Sequence, residues 1–225
     1  KALIEQRFGW MPKLPVPARR QLEAPVVPLP KAIALDTTDR VAVPKVTVTL
    51  RAPEAEGKGL VDLMVAAQVL GGGKTSRLYK RLVWKDRLAT DAYAYVSSQF
   101  LGSELEIAAI ARPGVTAEAL QAALEDELRQ FLATPPTAAE VERARRVLEV
   151  GLLSSLENLA TRVNQLADWA AYTGDPDHLA EDQASLAAVT PATVAAAAAQ
   201  WLRLDAAVTI VIRPEPAAAT TGGAP

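Results

Sequence analysis

The chain has 225 residues, half of them hydrophobic and 22% charged, a balance that supports a buried core and excludes a disordered or fibrous polymer. A formal net charge of −2 and an isoelectric point near 5.6 leave no basic footprint for a nucleic-acid backbone. No cysteine is present, so disulfides, thiolate zinc sites and cysteine nucleophiles drop out while the compartment stays open, and no apolar run approaches the roughly 20 residues of a bilayer span.

In chain order, Ala2–Phe8 reads as the last turns of a helix belonging to a preceding domain, stopped by Gly9 and Pro12. Six of the sixteen prolines fall within the first thirty residues, and proline fixes φ and removes a backbone donor, which marks a linker. Residues 1–25 are therefore expected to be the end of an upstream domain and a linker, 26–214 a single α+β domain, and 215–225 a disordered tail. The chain opens on Lys1 without a charged-then-apolar leader, which reads as a fragment of something longer.

Period-2 alternation predicts strands over 31–37 and 43–51, the second setting Val46, Val48 and Leu50 against Lys45, Thr47, Thr49 and Arg51. Residues 60–70 are mostly apolar helix formers and predict a buried helix, stopped by Gly71, Gly72 and Gly73. Ser76 is placed to cap a second helix with Leu78, Leu82 and Val83 inward and Lys80, Arg81 and Lys85 outward, ending near Arg87. Residues 90–99 and 104–111 read as an antiparallel pair joined through Leu101-Gly102-Ser103.

Three further helix starts are marked by Thr116, by Thr137 with Glu140 as a capping box, and by Thr190-Pro191. The stripe Val141, Leu148, Leu152, Leu156, Leu159, Val163, Leu166, Ala170 predicts one long helix or two abutting ones against a core. A strand over 208–212 closes the pattern. This order predicts an α+β fold, an α/β-roll sandwich in which an antiparallel or mixed sheet packs against helices, and it fits parallel βαβ winding poorly.

Catalytic chemistry finds little to stand on. Gly71-Gly72-Gly73-Lys74-Thr75 has the ending of a phosphate-binding loop, but Gln68 stands where the first glycine is needed and a helix rather than a strand feeds the turn. Nucleotide binding is thus a remote alternative to a plain helix–glycine–helix turn. The single histidine, His178, lies in the polar turn Asp175-Pro176-Asp177-His178; hydrolytic metal sites draw on three protein ligands, so a capping role is preferred and no metal is assigned. Glu104 and Glu106 share one strand face and read as solvent-face charges. Ser97 and Ser98 have no neighbouring base and no Gly-x-Ser-x-Gly elbow. No catalytic residue and no cofactor is assigned to these 225 residues.

Taken as one unit, Val69-Leu70-Gly71-Gly72-Gly73-Lys74-Thr75-Ser76-Arg77-Leu78-Tyr79 resembles the insulinase/pitrilysin-type zinc metallopeptidases, in the second domain of each half. Phe8-Gly9-Trp10-Met11-Pro12 resembles that family's junction leaving the first domain. The resemblance implies a non-catalytic, chamber-forming domain whose partners are an upstream domain, a second half on the same or a separate chain, and a peptide substrate. It places the zinc in the upstream domain, on an inverted His-x-x-Glu-His helix that this sequence lacks. An inactive partner or scaffold subunit of the same family is the alternative.

In the family's non-catalytic half an arginine and a tyrosine grip the substrate backbone; the matching positions here are Val83 and Thr90, which supply neither a bidentate cation nor a phenol. That departure favours the second domain of a catalytic half. The resemblance also nominates Gly71, Gly72, Gly73, Lys74 and Arg77 as substrate- or partner-facing, with Arg77→Ala expected to lower peptide turnover without unfolding the domain. Exported bacterial members of the family make a periplasmic location the expectation.

Overall fold

A computed structural model describes residues 1–12, 15 and 29–215; most of the expected linker and all but the first residue of the expected tail lie outside the described residues. The strands are β1 (Ile33–Asp39), β2 (Lys45–Ala52), β3 (Ala89–Ser97), β4 (Ser103–Ala111) and β5 (Val208–Pro214). They form one mixed sheet in the order β1-β5-β2-β4-β3, with β1 parallel to β5 and the other pairs antiparallel. The helices are α1 (Ala2–Phe8), α2 (Leu60–Gly71), α3 (Ala117–Ala133), α4 (Ala138–Ser155), α5 (Leu159–Tyr172), α6 (Leu179–Ala188) and α7 (Pro191–Trp201), with a π-helix at Tyr79–Lys85. The expected α+β class and mixed sheet are what the chain adopts.

Alternation in β2 buries Val46, Val48, Leu50 and Ala52 against the helices, as a strand with one covered face requires. Facing them, α2 contributes Leu63 and Leu70, and α3 contributes Leu120, Leu124, Leu128 and Phe131, all within one buried cluster. Each fully buried side chain of this size is worth about 1.5–3 kcal/mol, so α2 and α3 are held by burial rather than by propensity.

The three threonine caps sit where the sequence placed them. Thr116 accepts from Ala119 N–H, while Thr137 with Glu140 and Thr190 with Thr193 form reciprocal capping boxes. Among the described residues no single helix is long and apolar enough to cross a membrane; α6 and the segment running on from α7 pass together only as a pair bent by 93°.

Two expectations need correction. The helix after Ser76 is wound in π register, with Asp86 N–H donating to Arg81 O five residues back; in that wider turn Leu78, Leu82 and Val83 are all buried. The long apolar stripe does not lie against a core throughout. Asn158 caps α5 through Ala160 N–H and Thr161 N–H, resetting the helical phase, so that α5 buries Trp169 while Leu159 and Val163 remain 74% and 56% exposed.

The helices cover one face of the sheet. Paired residues share a face, so the register brings Thr47, Ala108 and Tyr93 into one row of the open face and Thr49, Glu106 and Tyr95 into the next. On the β1 side the same face carries Ile33 and Leu35 beside Val208 and Ile210, and Ile33 and Leu35 are exposed.

Candidate functional site

The glycine turn is built to bring α2 onto the sheet and then reverse the chain. Gly71 is buried at the end of α2, and a Cβ there would collide with the backbone of Tyr93 and Ala94 in β3; only hydrogen permits that approach. Gly73 holds φ at +81° with open space around it, the left-handed conformation that a helix stop favours. Between them, Gly72 O accepts from Gln68 Nε2 at 3.2 Å. Ser76 is buried, its N–H donates to Gly73 O, and its hydroxyl accepts from Tyr79 N–H at 3.4 Å. The turn is thus fed by a helix and not a strand, which removes the remote phosphate-loop reading.

Of the two candidate cations, Lys74 is exposed at the outside of this turn and has no ion-pair partner among the described residues. Arg77 is placed differently. Its Nε and Nη2 donate to the two carboxylate oxygens of Glu140 at 2.9 and 2.8 Å, Nη1 donates to Thr134 O at 2.8 Å and Nη2 to Pro135 O at 3.3 Å. The guanidinium also lies 5.1 Å from the Phe131 ring centroid. Both partners are mostly buried, with side chains 17% and 18% exposed. Arg77 therefore ties the glycine turn to the start of α4 instead of facing outward, and the expectation that its loss leaves the fold untouched does not suit this geometry.

The electrostatics agree. The Arg77 hydrogen bond, helped by donation from Thr137, holds the Glu140 carboxyl down to about 2 from its usual 4.5 against the opposing effect of burial. Arg77 is correspondingly held above its ordinary value, Glu140 being the main cause. A parallel tether lies on the π-helix, where Arg81 bridges Asp86, Asp126 and Glu127.

The gripping positions named by the resemblance are occupied as the sequence reads. Val83 is buried and Thr90 is exposed at the start of β3, its hydroxyl donating to Ile110 O at 3.3 Å. Glu104 and Glu106 stand on the open face opposite Arg51 and Thr49. Glu106 accepts from Tyr95 Oη at 2.9 Å and Tyr93 Oη at 3.4 Å, and this hydrogen bond raises the Tyr95 phenol above its usual value. No nucleophile and base meet among these residues.

The turn that holds His178 belongs to a second locality, where the expected capping role is not met: His178 precedes α6 without a side-chain capping hydrogen bond. A cavity of about 790 Å³ opens between the loop after β2 and helices α4 to α6, lined among others by Glu56, Asp62, Asp168, Trp169, Tyr172 and Asp182. His178 stands beside it, near Glu56 and Asp182.

Residues 1–148 match the family described as the peptidase M16 inactive domain. The chain is 29% identical over 131 residues to a zinc protease, PqqE, from Helicobacter pylori (strain ATCC 700392 / 26695), a match that takes in 58% of this chain and 30% of that protein. Among solved structures, a protease from Helicobacter pylori superposes with a TM-score of 0.79 at 22% identity, covering 95% of this chain and 52% of that one. The inactive peptidase domain of a candidate zinc protease from Bordetella parapertussis does so with a TM-score of 0.71 at 22% identity, covering 81% of this chain and 98% of that one. The chain thus spans only part of these Helicobacter matches, 30% of the curated protease and 52% of the solved chain.

Proposed function

Because the chain belongs to the peptidase M16 inactive-domain family, we propose that it serves a zinc-dependent peptidase as a non-catalytic wall of the substrate chamber. In this reading residues 26–214 form the domain and residues 1–25 lead out of an upstream domain. The zinc and its His-x-x-Glu-His helix belong to that upstream domain, and a second half closes the chamber around a peptide.

The observation that carries the reading is the one-sided sheet. Helices bury one face completely enough to make a core, whereas the other face presents Ile33, Leu35, Thr47, Thr49, Tyr93 and Tyr95 without a covering layer among the described residues. Hydroxyl and aromatic groups beside an exposed apolar strip suit contact with extended peptide or with a second protein layer. The Gly71–Lys74 turn stands at the end of α2 beside the edge strand β3, with Lys74 exposed; in this reading Lys74 reaches past that edge toward the chamber, and Gly71, Gly72, Gly73 and Arg77 position the turn.

Val83 and Thr90 in place of a gripping pair favour the second domain of the catalytic half over the substrate-holding one. A periplasmic location accompanies this reading by likeness to exported relatives. The test is reconstitution: this chain joined to its zinc-binding upstream domain, paired with the second half, should cleave an unstructured peptide and lose that activity to a chelator. Failure of the reconstituted pair under conditions where the full-length protein is active would refute the chamber role.

A further inference from the structure

We propose that Glu56, His178 and Asp182 form a binding site for one divalent cation of the zinc class, independent of peptide cleavage. One ligand atom from each residue lies within 4.8 Å of the others. His178 Nε2 is 3.7 Å from Glu56 Oε2 and 3.8 Å from Asp182 Oδ1. Ligands of a tetrahedral zinc stand about 3.4 Å apart, as bonds of about 2.1 Å dictate. The two gaps to His178 therefore close by a few tenths of an ångström, and Glu56 and Asp182, which lie within 4.8 Å of each other, approach through rotation of partly exposed side chains.

The surrounding groups orient the ligands. Asp182 Oδ2 accepts from Trp169 Nε1 at 2.8 Å, and Trp169 is 4% exposed; that bond fixes the carboxylate with Oδ1 turned toward the imidazole. His178 Nδ1 faces Glu181 Oε2 at 4.0 Å, leaving Nε2 for the other two carboxylates. Outer partners of this kind set the ring orientation and the affinity of metal ligands.

Neither Glu56 nor Asp182 has an arginine or lysine partner among the described ion pairs. One imidazole nitrogen with two carboxylate oxygens selects borderline cations, whereas calcium and magnesium favour all-oxygen shells. The bound ion would pin the loop after β2 to the first turn of α6. Sequence spacing concealed the site because its third ligand, Glu56, lies in a different loop.

Calorimetric titration of zinc chloride into the 225-residue chain tests this, with calcium and magnesium chloride as comparisons. The expected result is one equivalent of zinc. Glu56→Gln and His178→Ala should each weaken binding by about tenfold or more, and Trp169→Phe by about tenfold through loss of outer support. Glu56 is exposed, so Glu56→Gln keeps the fold, and unchanged circular dichroism shows it. His178 is the sole histidine, so no other imidazole competes. Absence of zinc binding, equal binding by the native chain and Glu56→Gln, or calcium binding as tightly as zinc would overturn the proposal.

Discussion

Arg77 and Glu140, 63 residues apart, meet in a two-pronged ion pair that joins the glycine turn after α2 to the capping box of α4. One carboxylate thus serves two structures, accepting from Arg77 and from Thr137 N–H. Hydrogen bonds to charged groups contribute about 1.5–3 kcal/mol when largely shielded from water. Arg77→Ala should therefore lower folding stability by about 2–3 kcal/mol, read as a shifted urea midpoint. An unchanged midpoint would show that the pair is idle.

The same pair carries a pH signature. The Glu140 carboxyl titrates at about 2 in the folded chain against an ordinary 4.5, so the unfolded chain binds more protons between those values. Its stabilising contribution is complete above about pH 5 and is lost as pH falls toward 2. The stability gap between the native chain and Glu140→Gln should be widest at pH 7 and narrow steadily below pH 4.5. A gap that stays constant down to pH 3 would contradict the assignment.

Two glycines of one turn should answer differently to the same substitution. Gly71→Ala drives a methyl group into the backbone of Tyr93 and Ala94 and should cost about 3 kcal/mol as α2 is pushed from the sheet. Gly73→Ala meets open space and only the left-handed backbone, costing about 1 kcal/mol. Equal losses in thermal unfolding would disprove the close approach of α2 to β3.

Lys74 separates function from stability. It is exposed, so Lys74→Ala should leave the unfolding midpoint within about 0.5 kcal/mol of the native chain. If the turn faces substrate, peptide turnover by the reconstituted peptidase falls with Lys74→Ala all the same. Unaltered turnover would remove Lys74 from the chamber.

Local chemistry made most of the fold legible. Thr116, Thr137 and Thr190 each declare a helix start through a short-range hydrogen bond, and the alternation of β2 declares its buried face. What stayed hidden depends on distance in the chain. The partner of Arg77 lies beyond two strands and a helix, so nothing near it in sequence announced the ion pair, and its side chain read as facing substrate or partner. The approach of Glu56 to His178 is equally nonlocal. Leu159 and Val163 continue an apolar spacing that Asn158 interrupts, and spacing alone cannot report a cap that turns a helix face outward. The parallel pairing of β1 with β5 joins opposite ends of the chain, where no local pattern speaks.

The most direct measurement is hydrolysis of an unstructured fluorogenic peptide by this chain alone, supplied with excess zinc, beside the same chain joined to its zinc-binding upstream domain and paired with the second half. A non-catalytic chamber wall predicts no turnover above the uncatalysed rate for the chain alone, even with zinc held at Glu56, His178 and Asp182, and chelator-sensitive turnover for the pair. Zinc-dependent cleavage by the isolated chain would contradict it.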